Sequence, residues 1–94
     1  MTVTPIRPMP SFEDEAPTDA RITPYDEQHL VTYLRLLDAK AEGADWREVV
    51  SVIFGLSPSD DHNRAQRVYT THLARAEWMT ASGYRDLLNT STMD

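Results

Sequence analysis

The stretch from Ala44 to Leu73, ADWREVVSVIFGLSPSDDHNRAQRVYTTHL, constrains the fold most strongly. Asp45 stands before an apolar run and Glu48 follows three positions later, which is the spacing of a capping box at the start of a helix. Gly55 ends that run, and LSPSDDHN then leads into a second helical pattern. Two helices joined in this way are typical of a helix-turn-helix, but this connection is about twice the usual three or four residues. The run VVSVIF would also suit a strand by composition, but the cap and the glycine favour a helix.

Helical spacing continues on both sides of this stretch. Thr23 is a suitable N-cap, Pro24 suits the first helical position, and Gly43 suits the end of this first helix. Its apolar face is expected at Leu30, Tyr33, Leu34, Leu37 and Ala41. The apolar stripe of the second helix is expected at Trp46, Val49, Val50 and Ile53, with Phe54 lying off it.

The third predicted helix begins near Asp60 or Asp61 and runs to about Ala81. Its apolar face is expected at Ala65, Val68, Tyr69, His72, Leu73, Ala76 and Met79. The sequence YRDLL predicts a short C-terminal helical turn that packs Leu87 or Leu88 onto the core. The fold class is therefore all-α, a small three-helix variant of the helix-turn-helix with an extended turn.

The chain divides into three parts. Residues 1–22 contain most of the prolines and an acidic cluster without helical spacing, which predicts a disordered acidic arm. The helical domain is expected over residues 23–88, and residues 89–94 form a polar, flexible tail.

Composition excludes several functions. The formal net charge is -6 and the chain has no cysteine, no apolar run of membrane-span length and no secretory signal, so we expect a cytoplasmic protein without disulfides. His29, His62 and His72 lack metal-ligand spacing, and no nucleophile elbow or glycine-rich phosphate loop is present. We therefore expect neither an enzyme nor a cofactor or metal.

One side of the third predicted helix carries a stripe of basic and polar residues. At 100° per residue, this arginine stripe comprises Arg64, Arg67, Thr71, Arg75 and Trp78. Such a stripe could present side chains to DNA from a recognition helix. The alternative is a solvated face on which the arginines pair with Asp60, Asp61 and Glu77.

Two stretches of the chain carry a family resemblance, namely ADWREVVSVIFG and DDHNRAQRVYTTHLARAEWMTASGYRDLL. Together they resemble the RovC-like DNA-binding domain family found on bacterial integrative and conjugative elements. The resemblance covers about residues 25–88 and implies a helix-turn-helix with an extended turn. In activator members this domain binds DNA through a positive surface and follows a second, N-terminal domain, which we expect to be absent here. With its acidic charge, the chain also resembles a stand-alone antiactivator of symbiosis-element transfer.

This resemblance implies an antiactivator that occupies the N-terminal domain of a transcriptional activator, with a LuxR-type quorum-sensing regulator as a second target. Excision and conjugative transfer of a mobile element would then be repressed. We accordingly expect a monomer with a protein partner and without nucleic acid. The partner contacts are expected at Tyr25, Val31, Tyr33, Leu36, Tyr84 and Arg85.

Two alternatives remain open. The first is a small DNA-binding transcriptional regulator that uses Arg64, Arg67, Thr71 and Arg75 of the third helix. The second is mimicry of DNA by an acidic surface. Asp38 and Glu42 on the first helix are its candidates, but the neighbouring Arg35 lowers the negative charge of that surface too far to favour this alternative.

Overall fold

The computed structural model describes residues 11–83 of the chain. All regular secondary structure in this part is helical, which confirms the all-α prediction. The helices are α1 (Pro24–Gln28), α2 (Leu30–Ala41), α3 (Trp46–Phe54) and α4 (His62–Trp78), followed by a π-helix (Met79–Gly83). The predicted C-terminal turn YRDLL and the predicted flexible tail both lie outside the described residues.

The first predicted helix is divided in two at His29. Thr23 caps α1 in a full capping box, in which its hydroxyl accepts from the Asp26 N–H and the Asp26 carboxylate accepts from the Thr23 N–H. His29 has φ -114° and ψ 21°, which departs from helical geometry and separates α1 from α2.

Helix α2 buries a different side from the one predicted. It packs against both α3 and α4, so the residues between those helices, Thr32, Tyr33 and Leu36, are buried. Leu30 and Leu34, expected in the apolar face, are 40% and 61% exposed. The predicted face is wrong at these two residues and at Ala41, which is also exposed, because burial follows the packing of three helices and not the apolar pattern of one.

The extended turn between α3 and α4 is confirmed. The Asp45 carboxylate accepts from the Arg47 N–H at 3.0 Å and caps α3. Gly55 ends α3 with φ +73°, a left-handed conformation that favours glycine. The chain then turns until Asp61, whose carboxylate accepts from the Arg64 N–H at 3.1 Å and caps α4.

The core lies where α2, α3 and α4 meet. Its largest cluster consists of Leu36, Val49, Val50, Ile53, Phe54, Ala65 and Val68. Phe54, expected off the apolar stripe, is 7% exposed. The predicted apolar face of α4 is confirmed, since its members are all buried or partly buried. No helix in the described part of the chain is long and apolar enough to cross a membrane.

The N-terminal segment, residues 11–22, packs on the helices, whereas the sequence predicts a disordered arm there. The Phe12 ring lies edge-on against Phe54 with centroids 5.0 Å apart. Ala16 is 6% exposed, and both ring nitrogens of His29 lie at hydrogen-bonding distance from carbonyl oxygens, those of Ser11 and Tyr25. These contacts bind the segment to the domain despite its acidic composition.

Candidate nucleic-acid interface

The N-terminal segment lies along the arginine stripe of α4 and runs in the same direction as the helix. Asp14 accepts from Arg64 Nε at 2.8 Å, and a Glu15 carboxylate oxygen lies 3.8 Å from Arg67 Nε. Further along, the Ala16 N–H donates to Thr71 Oγ1 at 3.2 Å. Arg75 Nη1 then donates to the Asp19 carbonyl oxygen at 2.6 Å. The stripe that would face DNA under the alternative function is therefore the docking site of the chain's own acidic segment.

Arg75 is enclosed in the domain and holds three parts of the chain together. Its side chain is 3% exposed, and it donates from Nε and Nη2 to the two carboxylate oxygens of Asp26 at 3.0 and 2.7 Å. Nη2 also donates to the Arg21 carbonyl oxygen at 2.8 Å, and the guanidinium lies 3.9 Å from the centroid of the Trp78 ring. With every contact made inside the protein, Arg75 is a structural residue and offers no donor to DNA.

Asp26 is fully buried beneath this arginine. Burial alone would raise the pKa of the Asp26 carboxyl, but hydrogen bonds from Arg75, Thr23 and Tyr33 hold that pKa below its ordinary value. The hydrogen bond to Asp26 in turn raises the pKa of Arg75. Asp26 and Arg75 are therefore both charged inside the domain, where their bidentate geometry compensates for lost hydration.

Arg64 and Arg67 remain half-exposed, in contrast to Arg75. Their side chains are 44% and 51% exposed, and their acidic partners lie at the surface. Ion pairs of this kind contribute about 0 to 1 kcal/mol each, so either guanidinium can exchange its carboxylate for a phosphate. The partners predicted for the stripe arginines, Asp60, Asp61 and Glu77, are not the ones observed, and Glu77 pairs with Lys40 instead.

Tyr25 and His72 hold the N-terminal segment on the domain through a series of hydrogen bonds. His72 Nδ1 donates to the Val68 carbonyl oxygen at 2.8 Å, which leaves Nε2 to accept from the Tyr25 hydroxyl at 2.6 Å. The Tyr25 hydroxyl also accepts from the Glu13 N–H at 3.0 Å. Burial lowers the pKa of the His72 imidazole and raises the pKa of the Tyr25 hydroxyl, so both groups are neutral near pH 7.

The structure separates the residues predicted to contact a protein partner. Tyr33 and Leu36 are 2% and 0% exposed and belong to the core, so neither side chain is available to a partner protein. Tyr25 is half-buried and holds the segment. Val31 is 67% exposed and lies beside Leu30 and Leu34, which form an apolar patch with it. Tyr84 and Arg85 lie outside the described residues.

The sequence pattern does not distinguish the solvent-facing side of α4, which lies opposite the core. We call this surface the open face, and its exposed members are Asn63, Gln66, Arg67, Thr70 and Ala74. Between residues 62 and 74 the sequence has no aspartate or glutamate. Asparagine, glutamine and threonine occur on any solvated helix, so the sequence gives no signal for this surface. It becomes visible only because the N-terminal segment packs along the stripe and leaves the open face uncovered.

The two flanks of the open face carry different side chains. The N-terminal segment brings Asp14 and Glu15 to one flank. On the other flank, the Trp46 ring contacts the rings of His62 and Tyr69, with centroids 5.4 and 5.9 Å apart. Arg47 lies over Trp46 at 5.4 Å. One flank therefore carries carboxylates paired with stripe arginines, and the other carries aromatic rings beside the ion pair of Arg47 with Asp45 at 3.8 Å.

No group of three or more histidine, aspartate or glutamate side chains in residues 11–83 is placed to hold a metal ion.

A comparison with curated proteins found no match. A family model described as a T6SS transcription factor DNA-binding domain matches residues 10–89, which include the N-terminal segment and all four helices. The expectation that nucleic acid is not a partner is wrong, because the matched family is described as DNA-binding. The resemblance to a stand-alone antiactivator stays a prediction. From the extent of the match, the chain belongs to the RovC DNA-binding domain family.

Proposed function

We propose that this chain is a transcription regulator that binds duplex DNA through α4. The observation that carries the proposal is the family match over residues 10–89. The fold supports it, because α4 follows the turn of a helix-turn-helix and exposes one polar side along residues 62–74. The major groove of B-form DNA is wide enough to admit such a helix.

The charge distribution predicts the kind of DNA binding. With a net charge of -6, the chain as a whole is repelled by phosphates, and non-specific affinity is expected to be weak. The surface cations on or near α4 are Arg64, Arg67, Arg47 and Lys40, and each of them has an acidic partner in the chain. Affinity should therefore depend more on contacts with base edges than on phosphate contacts.

Fluorescence anisotropy with labelled promoter duplexes tests the proposal. Because the family description names a T6SS, promoters of type VI secretion genes are the first probes, with shuffled duplexes of the same composition as controls. We expect one promoter duplex to bind more tightly than its shuffled control, and Arg67→Ala to weaken binding to both. Equal, undetectable binding to a panel of promoters and to shuffled DNA would reject the proposal.

A second candidate function is antiactivation through contact with a transcriptional activator protein. The observation that favours it is the apolar patch of Leu30, Val31 and Leu34, which are 40%, 67% and 61% exposed. Exposed apolar clusters on small domains commonly mark protein contacts. This function is compatible with DNA binding, because the patch lies on α2 and the open face on α4.

A reporter assay separates the two functions. Antiactivation predicts that the chain represses an activator-driven promoter of a mobile element, and that Val31→Asp combined with Leu34→Asp abolishes repression. Gln66→Ala serves as the matched control, because it alters an exposed residue of α4 and leaves the patch intact. Repression that survives the double substitution but is lost in the control variant would exclude a role for the patch.

A further inference from the structure

The stripe and the open face of α4 differ in how much of their hydrogen-bonding capacity is already used inside the chain. Thr71 donates to the Arg67 carbonyl oxygen at 2.8 Å and accepts from Ala16, and Arg75 is fully occupied by Asp26 and by two backbone carbonyl groups. Arg64 pairs with Asp14. These three stripe residues therefore have hydrogen-bond partners, whereas Arg67, which the stripe shares with the open face, has only the ion pair with Glu15 at 3.8 Å.

The open face presents side chains of the kind that distinguish base pairs. The amides of Asn63 and Gln66 are exposed, one turn apart, in the first half of α4. Asparagine and glutamine can each donate to and accept from one adenine edge, and arginine can donate twice to one guanine edge. The Thr70 hydroxyl donates to the Gln66 carbonyl oxygen at 2.9 Å, which leaves its methyl group available to contact a thymine methyl.

The position along α4 agrees with this chemistry. Recognition helices contact base edges mainly through their N-terminal half, and Asn63, Gln66, Arg67 and Thr70 all lie there in a helix that begins at His62. Arg47, on the flank away from Asp14 and Glu15, stands at the start of α3, where the first helix of such a motif meets the phosphate backbone.

We propose that the chain reads the major groove of duplex DNA through Asn63, Gln66, Arg67 and Thr70, and not through Arg64, Thr71 and Arg75, the polar stripe residues that lie off the open face. This inference rests on the proposed DNA-binding function and names the surface that carries it. Adenine contacts are expected for Asn63 and Gln66, and a guanine contact for Arg67.

The test begins with selection of binding sequences by the full chain from a random pool of duplex DNA. The affinity ratio between the selected duplex and a shuffled duplex is then measured for the wild-type chain and for Asn63→Ala, Gln66→Ala and Arg64→Ala. Arg64→Ala is the matched control, since it removes an exposed residue of the same helix turn that belongs to the stripe alone. Circular dichroism checks that each variant folds.

Asn63→Ala and Gln66→Ala should each lower the affinity ratio by about 5-fold to 150-fold, the range expected for one bidentate base contact. Arg64→Ala should change the affinities for both duplexes by the same factor. If the Asn63 and Gln66 variants keep the wild-type ratio while Arg64→Ala lowers it, the stripe reads the DNA and the inference is overturned, although DNA binding stands. If no sequence is enriched at all, the proposed function fails as well.

Discussion

Arg75 and Asp26 form an ion pair whose side chains are 3% and 0% exposed, whereas Arg64 and Arg67 pair at the surface. Breaking a buried pair by removing one partner leaves an unpaired charge out of reach of water. We expect Asp26→Ala to lower the free energy of unfolding by about 3 to 5 kcal/mol, measured by urea denaturation. Glu27→Ala, an exposed neighbour in α1, is the control, and a loss below about 1 kcal/mol in Asp26→Ala would contradict this assignment.

The neutral His72 makes stability depend on pH. Its folded-state pKa lies below the ordinary value of 6.5 because of burial, so the unfolded chain takes up a proton first as the pH falls. The contribution of His72 to the free energy of unfolding is fully present above about pH 6.5, and it is lost as the pH drops toward the folded-state pKa. Asp26 also loses its stabilising charge on acidification, but only as the pH falls below the ordinary aspartate range.

Urea denaturation at a series of pH values between neutral and mildly acidic conditions measures this effect. We expect the wild-type midpoint to fall toward acid pH, and His72→Gln to be less stable at neutral pH but less sensitive to acid. His62→Gln is the control, because His62 is exposed. An acid sensitivity that is unchanged in His72→Gln would assign the effect to another group.

Single residues were only partly predictable from sequence. The helical angle of Arg75 placed it correctly beside Arg64 and Arg67, but its partner Asp26 lies 49 positions away and has an ordinary local role in the first turn of α1. Nothing local distinguishes an arginine that faces solvent from one that receives a buried carboxylate. The same limit applies to Leu36, whose burial depends on where α3 and α4 pack.

At the scale of elements, Gly55 sets the direction of the chain between α3 and the extended turn. Its φ of +73° is unfavourable for residues with a Cβ atom, and a Cβ at this position would meet no atom within 4 Å. We expect Gly55→Ala to cost about 1 to 2 kcal/mol of unfolding free energy through backbone strain alone. Gly55→Asn should cost less, since asparagine tolerates this conformation, and equal stability of Gly55→Ala and the wild type in thermal denaturation would contradict the account.

The N-terminal segment is the element that most affects charge around α4. Combining Asp14→Asn with Glu15→Gln removes two carboxylates from beside Arg64 and Arg67. Stability should change by less than about 2 kcal/mol, because both pairs are exposed. Affinity for duplex DNA should rise, since both guanidinium groups then interact with phosphates without competition.

Anisotropy titrations of the double variant against one duplex measure this rise. Asp38→Asn combined with Glu42→Gln provides the control, because it removes the same charge from exposed residues at the end of α2 that lie beside α3. If both variants gain affinity equally, net charge governs binding. If neither does, the segment has no influence on DNA.

Helices α3 and α4 and the turn between them were predictable because their signals are local, namely caps, left-handed glycine and apolar spacing. The division at His29 and the packing of residues 11–22 were not predictable in the same way. Both depend on contacts distant in sequence, such as Ser11 with His29 and Ala16 with Thr71, which composition does not reveal. For the same reason, the sequence could not indicate the open face as the proposed DNA-binding surface in place of the stripe.

At the scale of the whole molecule, an acidic chain belongs to a family described as DNA-binding. In the structure, the acids of the N-terminal segment lie against the arginine stripe, and α4 itself carries no aspartate or glutamate between residues 62 and 74. Net charge predicted the wrong class of partner because it averages over surfaces that DNA would not touch. The helix-turn-helix class did follow from the sequence, since it depends on element order and not on charge.

The salt dependence of binding to a duplex selected from a random pool tests the central claim most directly. If Arg64, Arg47 and Lys40 neutralise two or three phosphates, the logarithm of the association constant should fall against the logarithm of salt concentration with a slope of about -2 to -3. Affinity for the selected duplex should also exceed that for a shuffled duplex at each salt concentration. The absence of binding to either duplex even at about 50 mM salt would contradict the account.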